Sequence, residues 1–298
     1  MNRCYIDLQG LVWLGGPDRL AFLERMGTAR LTDLAPWQGR ATVVTSDEGR
    51  AVDLVACHAG PSGAALVCSS RAAAPLVAAQ LRRYVLYSDK VTVTDASEQV
   101  TMLRLSGTGS AGVAQAVTGL DAAALTPGDW RETGEGEEQI WLLRQAEGSG
   151  LGTWDLVIPR AAATAMAARI AAAGATTGTA GDYDAERIER LLPMRGAEID
   201  GQANPLELGL VGLVDFAKGC YIGQEVVARL HNYEKVQRGL RLVHLEQPLA
   251  ANSPWPPIAA GERPTGRARR GRVCTVVPAP DGRGWLATVL EPLAAPGT

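Results

Sequence analysis

Apolar positions along this chain recur at two spacings, every second residue in some stretches and every third or fourth in others, and the switches between them mark out elements. A strand is expected at Leu11–Leu14, after which Pro17 and Asp18 open a helix that carries Leu20, Leu23 and Met26 and closes at Gly27. Strand patterns follow at Arg40–Thr45, Ala51–Cys57 and Ala64–Cys68, with Asp47-Glu48-Gly49 as a turn. A helix over Ala72–Tyr87 and a strand over Val91–Thr94 complete the group. The order then recurs: a strand at Thr101–Leu105, a helix at Ser110–Val117, strands at Gln139–Arg144 and Thr153–Ile158, and an alanine-rich helix at Ala161–Ala173. Between the halves' matching elements, Gly128–Gly136 reads as a polar excursion. This repeated β-α-β-β-(β)-α-β order predicts an α+β protein with two ferredoxin-like βαββαβ units, each packing helices on one face of an antiparallel sheet.

Beyond Ala180 the pattern changes. A helix is expected from Asp182, as N-cap, to Leu192, ended by Pro193 and Gly196. The stretch Ala197–Lys218 is punctuated by glycine and proline and reads as a long ordered loop, a kind of segment that tends to be functional. Alternating runs at Leu240–Leu245, Arg272–Val277 and Trp285–Leu290, separated by the proline-rich Gln247–Pro257, predict a small C-terminal antiparallel barrel. The expected units are residues 1–98, 99–235 and 236–298.

Composition narrows the function classes. With 298 residues, 46% apolar and 20% charged, the chain has the balance of a globular enzyme-like protein. A net charge of −3 gives no bulk attraction for nucleic acid or anionic membrane, so neither is an expected partner. Arg263, Arg267, Arg269, Arg270 and Arg272 form a local basic run, read as a solvated loop and strand edge. Met1–Gly10 has no apolar leader core, no segment reaches the roughly 20 apolar residues of a membrane span, and a cytoplasmic location is expected. The cysteines, Cys4, Cys57, Cys68, Cys220 and Cys274, are odd in number and scattered, which points to reduced thiols and away from a disulfide framework, a zinc site or a stably held cluster. His58, His231 and His244 fall in different segments and suggest no triad, although His231 follows the apolar run after Cys220 and could approach the same site.

The most informative local chemistry is Lys218-Gly219-Cys220-Tyr221-Ile222-Gly223-Gln224-Glu225, a thiol and a glycine-bounded turn ahead of an amphipathic run with Val226, Val227, Leu230 and Tyr233. Glu225 and Arg229 are spaced to pair on its wet side. A thiol at a helix N-terminus with Lys218 beside it would be favoured as thiolate, whereas a plain packing role makes Cys220 a small buried hydrophobe.

The octet resembles the K-G-C-[FY]-x-G-Q-E signature of the YgfZ family, folate-binding relatives of the glycine-cleavage T-protein, an aminomethyltransferase. The likeness extends through Arg187-Ile188-Glu189, Gly196-Ala197-Glu198 and Asn204-Pro205-Leu206-Glu207-Leu208-Gly209-Leu210, which are similar to the family's R-x-E, G-x-E and P-x-E-x-G-L elements in the same order. The resemblance implies an aminomethyltransferase-like fold whose units enclose a central channel for tetrahydrofolate or a derivative. It implies a role in making or repairing iron–sulfur clusters in client enzymes, tRNA-modifying ones among them.

By the same resemblance, Glu189 matches the acidic residue that hydrogen-bonds the pterin, a role suited to a carboxylate facing two N–H groups; its alternative is a helix-surface partner of Arg187 or Arg190. Tyr221, Tyr183 and Trp154 are candidate walls and Arg195 and Arg229 candidate receivers of the glutamate tail, with Arg187 beside the pterin residue. Asp53, in Gly49-Arg50-Ala51-Val52-Asp53-Leu54, either matches the T-protein's catalytic aspartate in a register one residue short or is an outward-facing strand residue. The early T-x-D element reads Thr28-Ala29-Arg30 and Leu191 replaces a glycine, and these departures, with the cysteine signature, favour the YgfZ branch. Cys220 and Lys218 are then the expected acting groups at the mouth of the channel. An aminomethyltransferase-like activity through Asp53 and a non-enzymatic folate-gated adaptor docking clients through the basic C-terminal region remain as alternatives.

Overall fold

The computed structural model describes residues 1–148, 154–255 and 271–293. Helix α1 (Arg19–Met26) buries Phe22, Leu23 and Met26, and α2 (Ala73–Arg83) buries Ala73, Ala74, Val77, Ala78 and Leu81, the stripe that helical spacing dictates. Both lie on one face of a sheet built from β2 (Leu11–Gly15), β3 (Gly39–Thr45), β4 (Ala51–Ala59), β5 (Gly63–Cys68) and β6 (Thr92–Asp95) in the order β3-β4-β5-β2-β6, every pairing antiparallel. The expected helix to Tyr87 stops four residues early. Asp89 receives the Leu86 N–H at 2.8 Å and two bonds from Arg25 at 2.8 and 3.0 Å, which holds the following residues in a turn.

The second sheet joins β7 (Val100–Ser106), β8 (Trp130–Thr133), β9 (Ile140–Arg144), β10 (Trp154–Pro159) and β11 (Ala175–Thr177) with the N-terminal strand β1 (Asn2–Ile6), in the order β11-β1-β7-β10-β9-β8. Its strands β8-β9-β10-β7 repeat β3-β4-β5-β2 of the first sheet. Where β6 flanks β2, however, β1 flanks β7, and β11 pairs with β1 in parallel. Residues 1–98 are therefore not self-contained, since their first strand belongs to the second sheet. The stretch expected as a polar excursion contains β8, whose Trp130 is buried. Helices α3 (Ser110–Thr118) and α4 (Ala163–Ala172) cover the outer face.

The inner faces of the two sheets meet in a core of Leu11, Ala41, Val67, Met102, Leu143 and Val157. Four tryptophans lock it, with ring centroids 5.3 Å apart for Trp13–Trp141, 4.8 Å for Trp37–Trp130 and 5.8 Å for Trp130–Trp141. Each such pair contributes about 0.5–1.5 kcal/mol beyond its buried area.

The C-terminal unit is, among the described residues, a four-stranded antiparallel sheet in the order β12-β15-β14-β13, from β12 (Arg238–Leu245), β13 (Pro254–Trp255), β14 (Gly271–Pro278) and β15 (Trp285–Pro292). Two buried ion pairs fasten it to the rest. The Arg187 guanidinium donates to Glu198 at 2.7 Å and to the Thr275 hydroxyl at 2.8 Å, and Glu198 also accepts from Thr275 and Thr288. Arg238 grips Glu207 through two bonds of 3.0 and 3.1 Å. The acidic residues of the G-x-E and P-x-E elements are thus interior struts. The helix that carries Arg187, α5 (Ala180–Ile188), begins from Thr179, with Asp182 completing a reciprocal capping box three residues on.

Candidate functional site

The signature octet is held against the first unit by groups that each meet a specific need. The Lys218 ammonium, only 6% exposed, donates to the carbonyls of Glu24, Gly27 and Ala29, each at 2.7 Å. Two of these stand at the end of α1, where carbonyls lack helical partners and a cation is favoured. The Ile222 N–H reaches the Arg25 carbonyl at 2.9 Å, and Thr28 Oγ1 donates to the Leu213 carbonyl at 2.7 Å. Gly223 sits at φ +81°, and a Cβ there would stand 2.3 Å from the Ser46 carbonyl oxygen, so the β3–β4 turn permits only glycine. Helix α6 (Gln224–Asn232) starts after it.

Cys220 is exposed and the other four cysteines are buried. It stands three residues before the Gly223 N-cap, so it is not on the helix's first turn, and Lys218 turns its ammonium into the α1 carbonyls. The two expected sources of positive potential at the thiol are thus displaced or engaged elsewhere. Burial lowers the Lys218 pKa to about 8 and raises that of Tyr221 to about 12. The Tyr221 ring lies 5.3 Å from the Lys218 ammonium, and its buried hydroxyl has no partner among the described residues. His231 does approach this segment, stacking on Phe216 with centroids 4.1 Å apart at 15°. Arg229 lies on the exposed face of α6, paired with Glu225 at 3.0 Å.

A second group forms around Asp53, which is fully buried rather than outward-facing. Its carboxylate accepts from the Ser69 backbone N–H at 3.0 Å and from the Ser69 hydroxyl. That hydroxyl also accepts from the Arg195 N–H at 2.8 Å, and Ser70 donates to the Arg195 carbonyl at 3.1 Å. The segment at Arg195 thereby straps across Asp53, whose pKa burial pushes up to about 7 against the opposing pull of Ser69 and Arg195. Sequence patterning could not see this strap, because Ser69 and Arg195 are joined only by the fold.

A cavity of about 670 Å³ opens where the three units meet. Arg40 of β3, Glu147, Arg190, the leucines 191, 192, 208, 210, 213 and 240, and the glycines 209 and 212 are among its walls. Glu189, exposed at the end of α5, is the immediate neighbour of the lining residue Arg190. Arg187, by contrast, is 1% exposed and committed to Asp184, Glu198, Thr275 and the Leu192 carbonyl. Tyr183 and Trp154, expected as walls, are interior: Tyr183 accepts from Arg104 at 2.8 Å beside Tyr5, and Trp154 lies in the second unit's core. The basic run lies outside the described residues except for Arg272, which is tied to the Ala197 and Glu198 carbonyls and to Asp200.

Two helix-backed sheets packed face to face, with a C-terminal sheet closing a cavity at their junction, define an aminomethyltransferase-like fold. The crystal structure of the glycine cleavage system aminomethyltransferase T from Bartonella henselae superposes with a TM-score of 0.80 at 18% identity, covering 98% of this chain and 78% of that one. Residues 6–218 match the GCVT N-terminal domain, and the chain belongs to that family. It is 25% identical over 279 residues to an aminomethyltransferase of Thermosynechococcus vestitus, covering 89% of this chain and 71% of that protein. A chloroplastic protein of Arabidopsis thaliana, named provisionally as a transferase, is 26% identical over 246 residues; the match covers 82% of this chain but only 56% of that longer protein. The mitochondrial iron–sulfur cluster assembly factor IBA57 of Mus musculus is 39% identical over 90 residues, 29% of this chain and 25% of that one. No helix of the described residues is long and apolar enough to cross a membrane.

Proposed function

We propose that this chain is a cytoplasmic YgfZ-like protein that binds tetrahydrofolate or a derivative and supports the assembly or repair of iron–sulfur clusters in client enzymes, tRNA-modifying enzymes included. The observation that carries the reading is the docked octet: Lys218, Ile222 and Gly223 are fixed by the first unit, and the one cysteine left exposed in the chain is displayed on it. The 39% identity to an assembly factor over a limited stretch supports the same direction.

The residues at the junction fit the ligand. A cavity of about 670 Å³ lies within the usual size of small-molecule sites, and leucine walls with a few charged groups suit an aromatic body ending in carboxylates. Glu189 would hold the pterin edge from the cavity's border. Cys220 would act as nucleophile or transient sulfur or iron ligand. The test is to replace Cys220 by serine in cells that depend on the protein: client iron–sulfur enzymes should lose activity while the purified variant still binds tetrahydrofolate. Full client activity in that variant would remove Cys220 from the mechanism.

A second reading, aminomethyl transfer at Asp53, is favoured by the match to aminomethyltransferases. It requires the Arg195 strap to lift, since Asp53 is sealed beneath it. Turnover of a defined aminomethyl donor, abolished in Asp53→Asn, would support it alone.

A further inference from the structure

Surface turns are ordinarily built from small and polar residues, and the turn after α2 is tipped by Leu86 and Tyr87 instead. Tyr87 stands wholly in solvent and Leu86 is 59% exposed. The turn nevertheless has a fixed shape. Asp89 accepts from the Leu86 N–H at 2.8 Å, the Leu86 carbonyl accepts from the Asp89 N–H at 3.0 Å, and Asp18 Oδ2 accepts from the Lys90 N–H at 2.8 Å. Arg25 grips the Asp89 carboxylate through two further bonds. Apolar side chains on a preorganised turn lose little freedom when a partner covers them, and tyrosine is among the residues that dominate interface energies.

Arg25 also sets where the tip stands. Its guanidinium holds Asp89, and its backbone carbonyl accepts from the Ile222 N–H of the signature octet at 2.9 Å. Tyr87 is two residues from Asp89 and Cys220 two residues from Ile222. Two residues span at most about 7 Å, so tip and thiol fall within one interface of standard size, about 800 Å² on each partner.

The charge around the tip is one-sided. Arg82, Arg83 and Lys90 are exposed, and among the described residues none of them makes an ion pair. Arg82 donates to the Val93 carbonyl and Arg83 lies over the Tyr84 ring at 5.6 Å, while the carboxylate of the turn, Asp89, is neutralised by Arg25. In a chain of net charge −3, three such cations around an apolar tip complement a protein surface whose receiving pocket is apolar and rimmed by carboxylates. A lipid surface is less suited, since attachment to one draws on a whole amphipathic face and not on two side chains.

We infer that Leu86 and Tyr87 form a docking knob that enters an apolar, acid-rimmed pocket on the client enzymes and seats them facing Cys220. This rests on the iron–sulfur reading of the exposed cysteine and adds to it the surface that receives the partner.

The tests use the full chain, expressed from its own promoter in cells that depend on it. The double variant Leu86→Ser, Tyr87→Ser should drop client iron–sulfur enzyme activity to the level of cells lacking the protein. Purified, it should keep the wild-type melting temperature and Cys220 alkylation rate, because both side chains stand in solvent. Arg83→Glu combined with Lys90→Glu should lower client activity likewise. A photo-cross-linking phenylalanine analogue in place of Tyr87 should capture those same client enzymes. Full client activity in the Leu86 and Tyr87 double variant, where Cys220→Ser loses it, overturns the inference alone. Full activity in both brings down the iron–sulfur reading and the inference together. Slowed Cys220 alkylation or a lowered melting temperature in the double variant would mean that the turn acts through the fold of the octet, which also overturns docking. Full activity in the charge-reversed variant overturns the acidic partner. Cross-linking to a second copy of this chain assigns the tip to another occupant and overturns the client docking. So does wild-type binding to vesicles of equal parts phosphatidylcholine and phosphatidylserine that the double variant loses.

Discussion

The Lys218 ammonium lies 2.7 Å from the Gly27 carbonyl oxygen, tying the signature loop to the end of a helix nearly two hundred residues earlier in the chain. Three carbonyls converge on one cation, and the Tyr221 ring lies alongside. The lysine of the octet is thus the clasp that fixes where Cys220 is displayed, and its charge acts on the helix carbonyls.

Replacing Lys218 by methionine keeps the apolar stem and removes the donors. The variant should lose about 1.5–3 kcal/mol of stability, the usual cost of deleting a hydrogen-bonded charged group. Backbone amides of 215–222 should exchange hydrogen faster than in wild type, with the two sheets unaffected. Exchange mass spectrometry reads this directly; unchanged protection in that segment would show that the clasp does not hold the loop.

Cysteine accessibility gives a sharper contrast. Cys4, Cys57, Cys68 and Cys274 are at most 5% exposed, and burial raises their thiol pKa values, to about 11 for Cys4 and Cys274 and about 12 for Cys57. Brief iodoacetamide treatment of native protein should therefore modify Cys220 alone, with the rest reacting only after denaturation. Peptide mapping that finds Cys220 among the slow cysteines would contradict its display on the loop.

Much of the architecture was legible because it is local. The apolar spacing of Phe22, Leu23 and Met26 is dictated by one buried helix face, and the unbroken apolar run Ala64–Cys68 by a strand buried on both faces. What escaped reading was decided at long range. The strand Asn2–Ile6 carries too short a pattern to announce that it will insert between β7 and β11. Asp182 looks like an N-cap in sequence, yet Thr179 holds that place and Asp182 completes the box from inside the helix. The octet itself was visible, but the direction of the Lys218 side chain was not, since its partners at Glu24, Gly27 and Ala29 become neighbours only in the folded chain. Arg187 illustrates the same limit, an apparent ligand residue in sequence and a strut to Glu198 in the fold.

Glu189 has a surface position, so its removal should leave the fold intact. If it grips the pterin edge, Glu189→Ala should weaken tetrahydrofolate binding by about 1.5–3 kcal/mol, the range for a hydrogen bond to a charged group. Glu189→Gln should recover part of this, because an amide keeps one acceptor. Affinity equal to wild type in both variants would return Glu189 to the role of a helix-end surface residue.

Asp53 sets a pH dependence whose sign follows from its burial. Its pKa in the folded chain is about 7, above the ordinary carboxylate value of 3.8 that applies once the chain unfolds. Below about pH 4 both states hold the proton and Asp53 contributes no difference. As pH rises the unfolded chain releases its proton first while the folded chain keeps it, so stability falls through this window and the loss is complete above about pH 7. The full effect is on the order of 4 kcal/mol at most, from the constant of 1.36 kcal/mol per unit. Asp53→Asn cannot titrate, so subtracting its unfolding free energy from that of wild type cancels the other carboxylates. The difference should decline steadily between about pH 4 and about pH 7 in denaturant titrations and then level off. Two curves that run parallel across that range would mean that Asp53 is ionised throughout, with Ser69 and Arg195 holding its charge against burial.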